Sequence, residues 1–466
     1  MIQIVTILFK MAKMNIPVVD IHAENVKEYW PAITLAIQSA TFIALDLEMS
    51  GIGNRKDTMA RDSDERYKAF CEIAKTRSIL SVGISVFQKK AENANDVKNS
   101  SDFLVQTFNV MLLRKDSFIV EPASLKFLLE HGFDFNTHYA KAIPYSTPRA
   151  KVKETAKDVN KISELFFEIL RSSKPVVLHN GILDLVFLYQ NCYTDLPSSL
   201  STFLADLSVM FSAGVIDTKY IAEYHIGCNA TYLNYIFKKS WRQNIENEAS
   251  DKSCVTIECC KYPSAADVSY NGIFNKTCMS AGSIPPCEQY AAHGHCPKGM
   301  QCEMSHDIDV ILNYEQQKKS NKKRRKRKRK SKQTTSSQTG GEDAADTKKC
   351  ETNGSTVDDV MDVDEVIADK RPSNIAGQTF GTASSTNTAS GNHRAGFDAF
   401  MTGFCMATYY HSFKTQNAAT FAESVPKFLN KLNLSGKDIP LKVEKSQYCK
   451  TSVNHNEIWK KVMSNS

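Results

Sequence analysis

The stretch from Thr41 to Gly51, TFIALDLEMSG, constrains this chain more than any other. Phe42, Ile43, Ala44, Leu45 and Leu47 make an apolar run that reads as a buried strand, with two carboxylates, Asp46 and Glu48, set into it. Alternate residues of a strand point to one face, so both acids project the same way. Adjacent carboxylates on a buried strand repel each other and are costly to desolvate unless cations sit between them. The alternative is an exposed edge strand with both acids in water, and the apolar flanks argue against it. A metal-binding strand is the expectation.

The surrounding segments alternate in type. Residues 20–40 read as a helix leading into that strand, and Gly51 and Gly53 end the strand in a turn. Ser63 to Arg77 reads as a helix capped by Ser63, with Tyr67, Phe70, Cys71 and Ala74 at helical spacing. Ile79–Phe87 and Asp102–Leu113 read as further strands, and 121–130 and 156–173 as helices, with Pro122 in a first turn. Pro175–Leu178 is a short buried strand, followed by the turn HNG and a helix over Ile182–Cys192. This rhythm predicts an α/β domain. Asp184 falls in the first turn of the last helix and Asp217 just before another. An acid complementing the helix dipole is the default explanation of each.

The opening MIQIVTILFKM is apolar, but it lacks a preceding basic residue and is too short to span a membrane. It reads as a strand, or as residues ahead of a start at Met11 or Met14. No other stretch approaches the length of a membrane-spanning helix. Thirteen cysteines, an odd number without a secretion signal, predict reduced thiols in an intracellular chain.

Beyond Trp241 the character changes. Residues 245–284 are polar and read as an irregular insertion, in which Cys254, Cys259, Cys260 and Cys278 are unpaired thiols. Within residues 285–310, Cys287, Cys296, Cys302 and His306 are separated by eight, five and three residues. Three thiolates and an imidazole are the tetrahedral set that one structural Zn2+ prefers. The residues between them are too poor in aliphatics to form a core, so the metal would supply the folding energy. The spacing resembles the CCCH zinc-finger family, whose members bind single-stranded RNA with stacking aromatics. Tyr290 is the candidate stacker; packing against the ligands is its alternative role.

A basic tract over 318–332 follows, with nine consecutive cations from Lys322 to Lys330. Subtracting these nine from the net charge of +7 leaves −2 for the remainder, so attraction to nucleic acid is local. Lys322, Lys323, Arg324 and Arg325 are read as RNA contacts. Lys326, Arg327, Lys328, Arg329 and Lys330 are read as a nuclear-localisation signal for an import receptor; a merely solvated charge run is the alternative. Residues 333–390 have the composition of a disordered linker. Order returns at His393 with HRAGFDAFMTGFCMATYY, whose Phe397, Met401, Phe404 and Thr408 make a helical stripe in want of a partner. Leu434–Val443 reads as a turn and a strand, after which the chain tails off.

Taken together, Asp46 and Glu48 on a strand, Asp184 after VVLHNG, and HRAGFDAF resemble the DEDD exonucleases, specifically their His-containing subgroup. FDFN (133–136) with IPY (143–145) resembles the poly(A)-specific ribonucleases. The CCCH finger, the basic run and LSGKDIPL further resemble the nuclear target-of-early-growth-response deadenylases of Cajal bodies. The resemblance implies an α/β, RNase H-like mixed sheet with flanking helices, interrupted by the finger and the linker. It implies one catalytic domain split between 20–244 and 391–455. It also implies Asp46, Glu48, Asp184 and Asp398 as ligands of two Mg2+ ions, with His393 as general base. Hard carboxylate oxygens suit that cation, and an imidazole suits proton transfer near neutral pH. Asp206 and Asp217 remain competitors for the fourth carboxylate. The expected activity is 3′-to-5′ trimming of adenylated single-stranded RNA, including small nuclear RNA, with no membrane partner. The competing classes are a non-catalytic RNA-binding adaptor using the finger and basic tract, and a DNA-directed proofreading nuclease, for which the finger gives no support.

Overall fold

The computed structural model describes residues 6–8, 13–90, 100–148, 161–263, 266–274, 284–335, 394–415, 418 and 420–464. Its strands are β1 (Thr6–Leu8), β2 (Lys13–Ile21), β3 (Phe42–Met49), β4 (Ile79–Lys89), β5 (Ser101–Arg114), β6 (Ile143–Tyr145), β7 (Val176–Leu178), β8 (Val215–Asp217), β9 (Val255–Cys260), β10 (Val268–Phe274), β11 (Lys431–Leu432) and β12 (Leu441–Lys442). The principal helices are α1 (Val26–Ser39), α2 (Ser63–Thr76), α3 (Pro122–Glu130), α4 (Phe135–Lys141), α5 (Lys161–Arg171), α6 (Ile182–Leu188), α7 (Leu200–Met210), α8 (Leu233–Ala249), α9 (Glu288–His293), α10 (Ile308–Thr335), α11 (Ala395–Phe413) and α12 (Val453–Ser464).

The strands form one mixed sheet in the order β1-β9-β5-β4-β3-β7-β8-β11-β12. β3 is central, antiparallel to β4 and parallel to β7. The 14-residue β5 serves two neighbours along one edge: its first half pairs with β9 and its second half with β2. Strand alternation divides the core into two layers. Ile43, Leu45, Val82 and Ile84 face a layer that includes residues of α1, α2, α5, α6 and α7. Phe42, Ala44, Phe87 and Phe103 face residues of α8 and α11. Asp46 and Glu48 share the second face by their spacing. No helix among the described residues is long and apolar enough to cross a membrane.

Several expectations need correction. Residues 13–21, partly read as helix, form β2, because Met14, Ile16, Val18 and Val19 are buried on both sides of the sheet. The cap of α2 is Asp62, whose side chain accepts from the amides of Asp64 and Glu65. The helix after HNG changes to a π turn over Tyr189–Tyr193. Within 245–284, read as an irregular insertion, α8 runs to Ala249 and β9 and β10 extend the main sheet, while 264–265 and 275–283 lie outside the described residues. The cue was Val255, Ile257 and Cys259, buried at alternate positions of β9. Nor does the chain tail off after 443. In α12, His455 is buried beside the Tyr193 hydroxyl, and the Val462 carbonyl accepts from Arg171 of α5.

Two compact units are distinguished, Met1–Glu315 with Ala389–Ser466, and Gln316–Thr388. The basic run continues α10 as helix; Arg324 is exposed, while the side chains of Lys322, Lys323 and 325–330 lie outside the described residues, as do positions 336–393.

Candidate active site and zinc cluster

α11 is the element that completes the site, and small residues let it lie close against the sheet. Gly83 of β4 stands opposite Asp46, and a Cβ there would come within 1.8 Å of the Ala395 carbonyl oxygen. At Gly403, a Cβ would meet the Phe87 ring at 2.1 Å. The other sides of α11 are also buried, with Phe404 against Trp241 (4.8 Å between centroids) and Phe237 (5.7 Å) of α8. The expected single apolar stripe is therefore a helix buried nearly all round. Its start is tied down by a polar row across the sheet: Asp46, Gly83, Asn109 and Asp20 are successive register partners. Arg394 pairs with Asp20, Asn109 donates to Asp20 (2.9 Å), and the Gly396 amide donates to Asn109 (3.3 Å). None of Asp20, Asn109 or Arg394 was singled out in the sequence. The glycine inside the strand ISVGISV was the one available signal, since such a glycine often marks close backbone approach.

One carboxylate oxygen each of Asp46, Glu48 and Asp398 lies within 4.8 Å of the others. Asp398 is 6% exposed. Burial raises the Asp46 pKa well above its ordinary value, and the charges of Asp398, Asp184 and Glu48 add to the rise. Asp184 stands outside the 4.8 Å group yet is joined to it by that charge coupling. Burial pushes its pKa up to about 7, Asp217 adds to the rise, and backbone hydrogen bonds, including one from Leu47, oppose it. The two competitors are occupied elsewhere. Asp217 accepts from the amides of Asn180, Lys219 and Asn433. Asp206 accepts from the Tyr189 hydroxyl and the Ser452 amide. Hard oxygens gathered around a centre of mutual repulsion are the donor set that a divalent magnesium-type cation fits. His393 lies outside the described residues; Arg394, which follows it, is extended and caps α11.

Both raised pKa values mean that the fold binds protons more readily than the unfolded chain does. Stability fully present below the ordinary carboxylate range is lost as pH rises toward 7. In Mg2+-free, zinc-replete buffer the protein is expected to melt a few degrees higher at pH 5.5 than at pH 8, with Mg2+ recovering the difference at pH 8. Thermal melts with and without Mg2+ check this, and Asp184→Asn should flatten the profile.

The second cluster joins Cys287, Cys296, Cys302 and His306, with ligand atoms again within 4.8 Å of one another. The buried Nε2 of His306 has no hydrogen-bond partner, and three thiols and an unsatisfied imidazole fit one Zn2+. Tyr290 stacks on His306 at 4.4 Å with planes 8° apart, while its ring meets Tyr232 edge-on. The segment rests on α8: Asp309 accepts from Arg242 and Lys238, and Glu315 from Tyr235. Cys259 and Cys260 are free thiols, the Cys254 Sγ lies 4.0 Å from the Ser100 hydroxyl, and Cys278 lies outside the described residues.

The family described as CAF1 family ribonuclease matches residues 21–161 and 146–406. The chain belongs to the CAF1 ribonuclease family. Among similar proteins, the poly(A)-specific ribonuclease PARN of Danio rerio is 27% identical over 139 residues, covering 27% of this chain and 20% of that protein. The pre-piRNA 3′-exonuclease trimmer of Bombyx mori is 30% identical over 134 residues, covering 27% and 24%. The chain thus spans only a fifth to a quarter of the length of these relatives. Among solved structures, S. pombe Pop2p in its Mg2+- and Mn2+-bound form aligns with a TM-score of 0.37 at 16% identity, covering 48% of this chain and 81% of that one.

Proposed function

We propose that this CAF1-family chain is a divalent-metal-dependent 3′-to-5′ exoribonuclease that removes adenylates or short 3′ tails from nuclear RNA, small nuclear RNA included. The convergence of Asp46, Glu48 and Asp398, with Asp184 coupled to them, carries this reading. These four acids would hold two Mg2+ ions, which supply a polarised water and charge stabilisation at the departing 3′ oxygen. β3 fixes two of the acids rigidly, and α11 sets the fourth against them. His393, immediately before the capped start of α11, is assigned as the base that takes the water's proton. Preference for adenylate is supported by the names of the relatives alone. The finger and the cations from Lys322 to Arg325 are assigned to RNA. The cations from Lys326 to Lys330 are assigned to an import receptor, with Cajal bodies as the destination in keeping with the CCCH subgroup.

The test is direct. Purified protein, Mg2+ and RNA labelled at its 5′ end and adenylated at its 3′ end should give a ladder of single-nucleotide steps. Binding without a ladder would favour the adaptor. Separately, Cys302→Ser should release zinc and weaken RNA binding several-fold without touching the carboxylates; an unchanged affinity would remove the finger from RNA recognition.

A further inference from the structure

The zinc cluster is joined to the catalytic layer through Tyr290. The Tyr290 ring is half-buried, stacked on His306 at 4.4 Å and 6.0 Å from the ring of Tyr232, the residue that opens α8. Tyr290, Ala291 and Ile308 all pack against the second core layer, the one that holds residues of α8 and α11. Gly294 ends α9 in the left-handed region at φ 71°, and a Cβ there would come within 2.7 Å of the Tyr232 ring. Any other residue at Gly294 would therefore be strained and would push α9 away from α8. A base-stacking aromatic needs an open ring, whereas this one is engaged with His306 and Tyr232.

The segment after the ligands grips the same helix. Asp309 is buried between two cations of α8, with Arg242 Nη2 at 2.8 Å and Lys238 Nζ at 3.3 Å. Arg242 also donates to Asn313 at 2.8 Å, and the Tyr235 hydroxyl donates to Glu315 at 2.9 Å. Ile311 and Leu312 are buried in that layer too.

α8 in turn meets the helix that carries Asp398. Phe237 lies 6.2 Å from the rings of both Phe397 and Phe400, and Trp241 lies 4.8 Å from that of Phe404. Phe397 is the chain neighbour of Asp398. One helix thus touches the zinc segment and the metal-site helix alike. The residues from Cys287 to His306 are too poor in aliphatics to hold a fold of their own, so the position of Tyr290 depends on a metal that fixes His306.

We propose that the zinc cluster braces the catalytic unit: with His306 fixed as a ligand, Tyr290 is a positioning residue that holds α8 against α11 and so sets Asp398 beside Asp46 and Glu48. The inference rests on the reading of those carboxylates as a metal site, and it gives the finger a task distinct from contact with RNA. Hydrogen exchange of the full chain, read by mass spectrometry beside Mn2+ binding, tests it. Tyr290→Ala should speed exchange in α8 and α11 about tenfold, as loss of a buried aromatic contact would, and should weaken Mn2+ binding several-fold. Tyr290→Phe, which keeps the stack, should match the parent. Cys302→Ser, which removes a zinc ligand with every carboxylate still in place, should reproduce the pattern of Tyr290→Ala. Faster exchange confined to residues 285–306, or Mn2+ affinity within about twofold of the parent, would overturn the brace. If Tyr290→Ala fails to fold, Tyr290→Leu is read by the same two measures. If the unsubstituted chain takes up no Mn2+, the carboxylate reading fails and exchange in α11 alone decides the brace.

Discussion

Asp46→Ala is expected to slow RNA cleavage by about a thousand-fold or more while leaving the fold intact. The rate loss follows if the carboxylate helps hold charge that supplies several kcal/mol of transition-state stabilisation. The intact fold follows from the electrostatics. Asp46 is penalised by burial and repelled by Asp398, Asp184 and Glu48, so its removal relieves strain in the Mg2+-free protein. Loss of activity with an unchanged or higher melting temperature therefore marks a functional residue and not a structural one. The check is the 5′-labelled RNA assay run beside a thermal melt. Retained cleavage would exclude β3 from the chemistry; cleavage lost together with a collapsed melt would make Asp46 structural.

Phe404→Asp is expected to fail in the opposite way, losing activity because α11 no longer docks. Phe404 is fully buried and touches Trp241, Phe237 and Phe400. Truncating such a ring costs about 3–5 kcal/mol, and burying an unpaired carboxylate adds several more. That sum is a large share of the roughly 5–15 kcal/mol that holds a domain together. Closing a loop of about 80 residues, from Glu315 to the start of α11, costs on the order of 4 kcal/mol plus a constant. Burial of Phe397, Met401 and Phe404 at about 1.5–3 kcal/mol each offsets it. A normal rate and melting temperature in Phe404→Asp would show that α11 is not needed. Phe404→Leu, which keeps most of the volume, should retain both.

The central strand was legible because its chemistry is anomalous: two acids in an apolar run admit few explanations. Asp184 and Asp398 were not legible singly, since an acid in a first helical turn has an ordinary dipole role; the ordered set made them so. β9 and β10 were missed because their polar residues mask a short alternation, and Tyr270 stays exposed. The polar row Asp20–Asn109–Gly83–Asp46 was beyond reach, because it exists only once four strands are in register. α12 was passed over because its hydrophobic signal is weak; its buried contacts are His455 and Val462.

The proposed divalent-metal site depends on α11 bringing Asp398 to Asp46 and Glu48. Mn2+ binding to the zinc-loaded full chain, followed by electron paramagnetic resonance, measures this without relying on turnover. Wild type should take up two Mn2+ per chain, and Asp398→Asn, folded and melting normally, should lose one of them or bind it at least tenfold more weakly. Equal Mn2+ stoichiometry and affinity in the two proteins would contradict a role for Asp398 in the metal site.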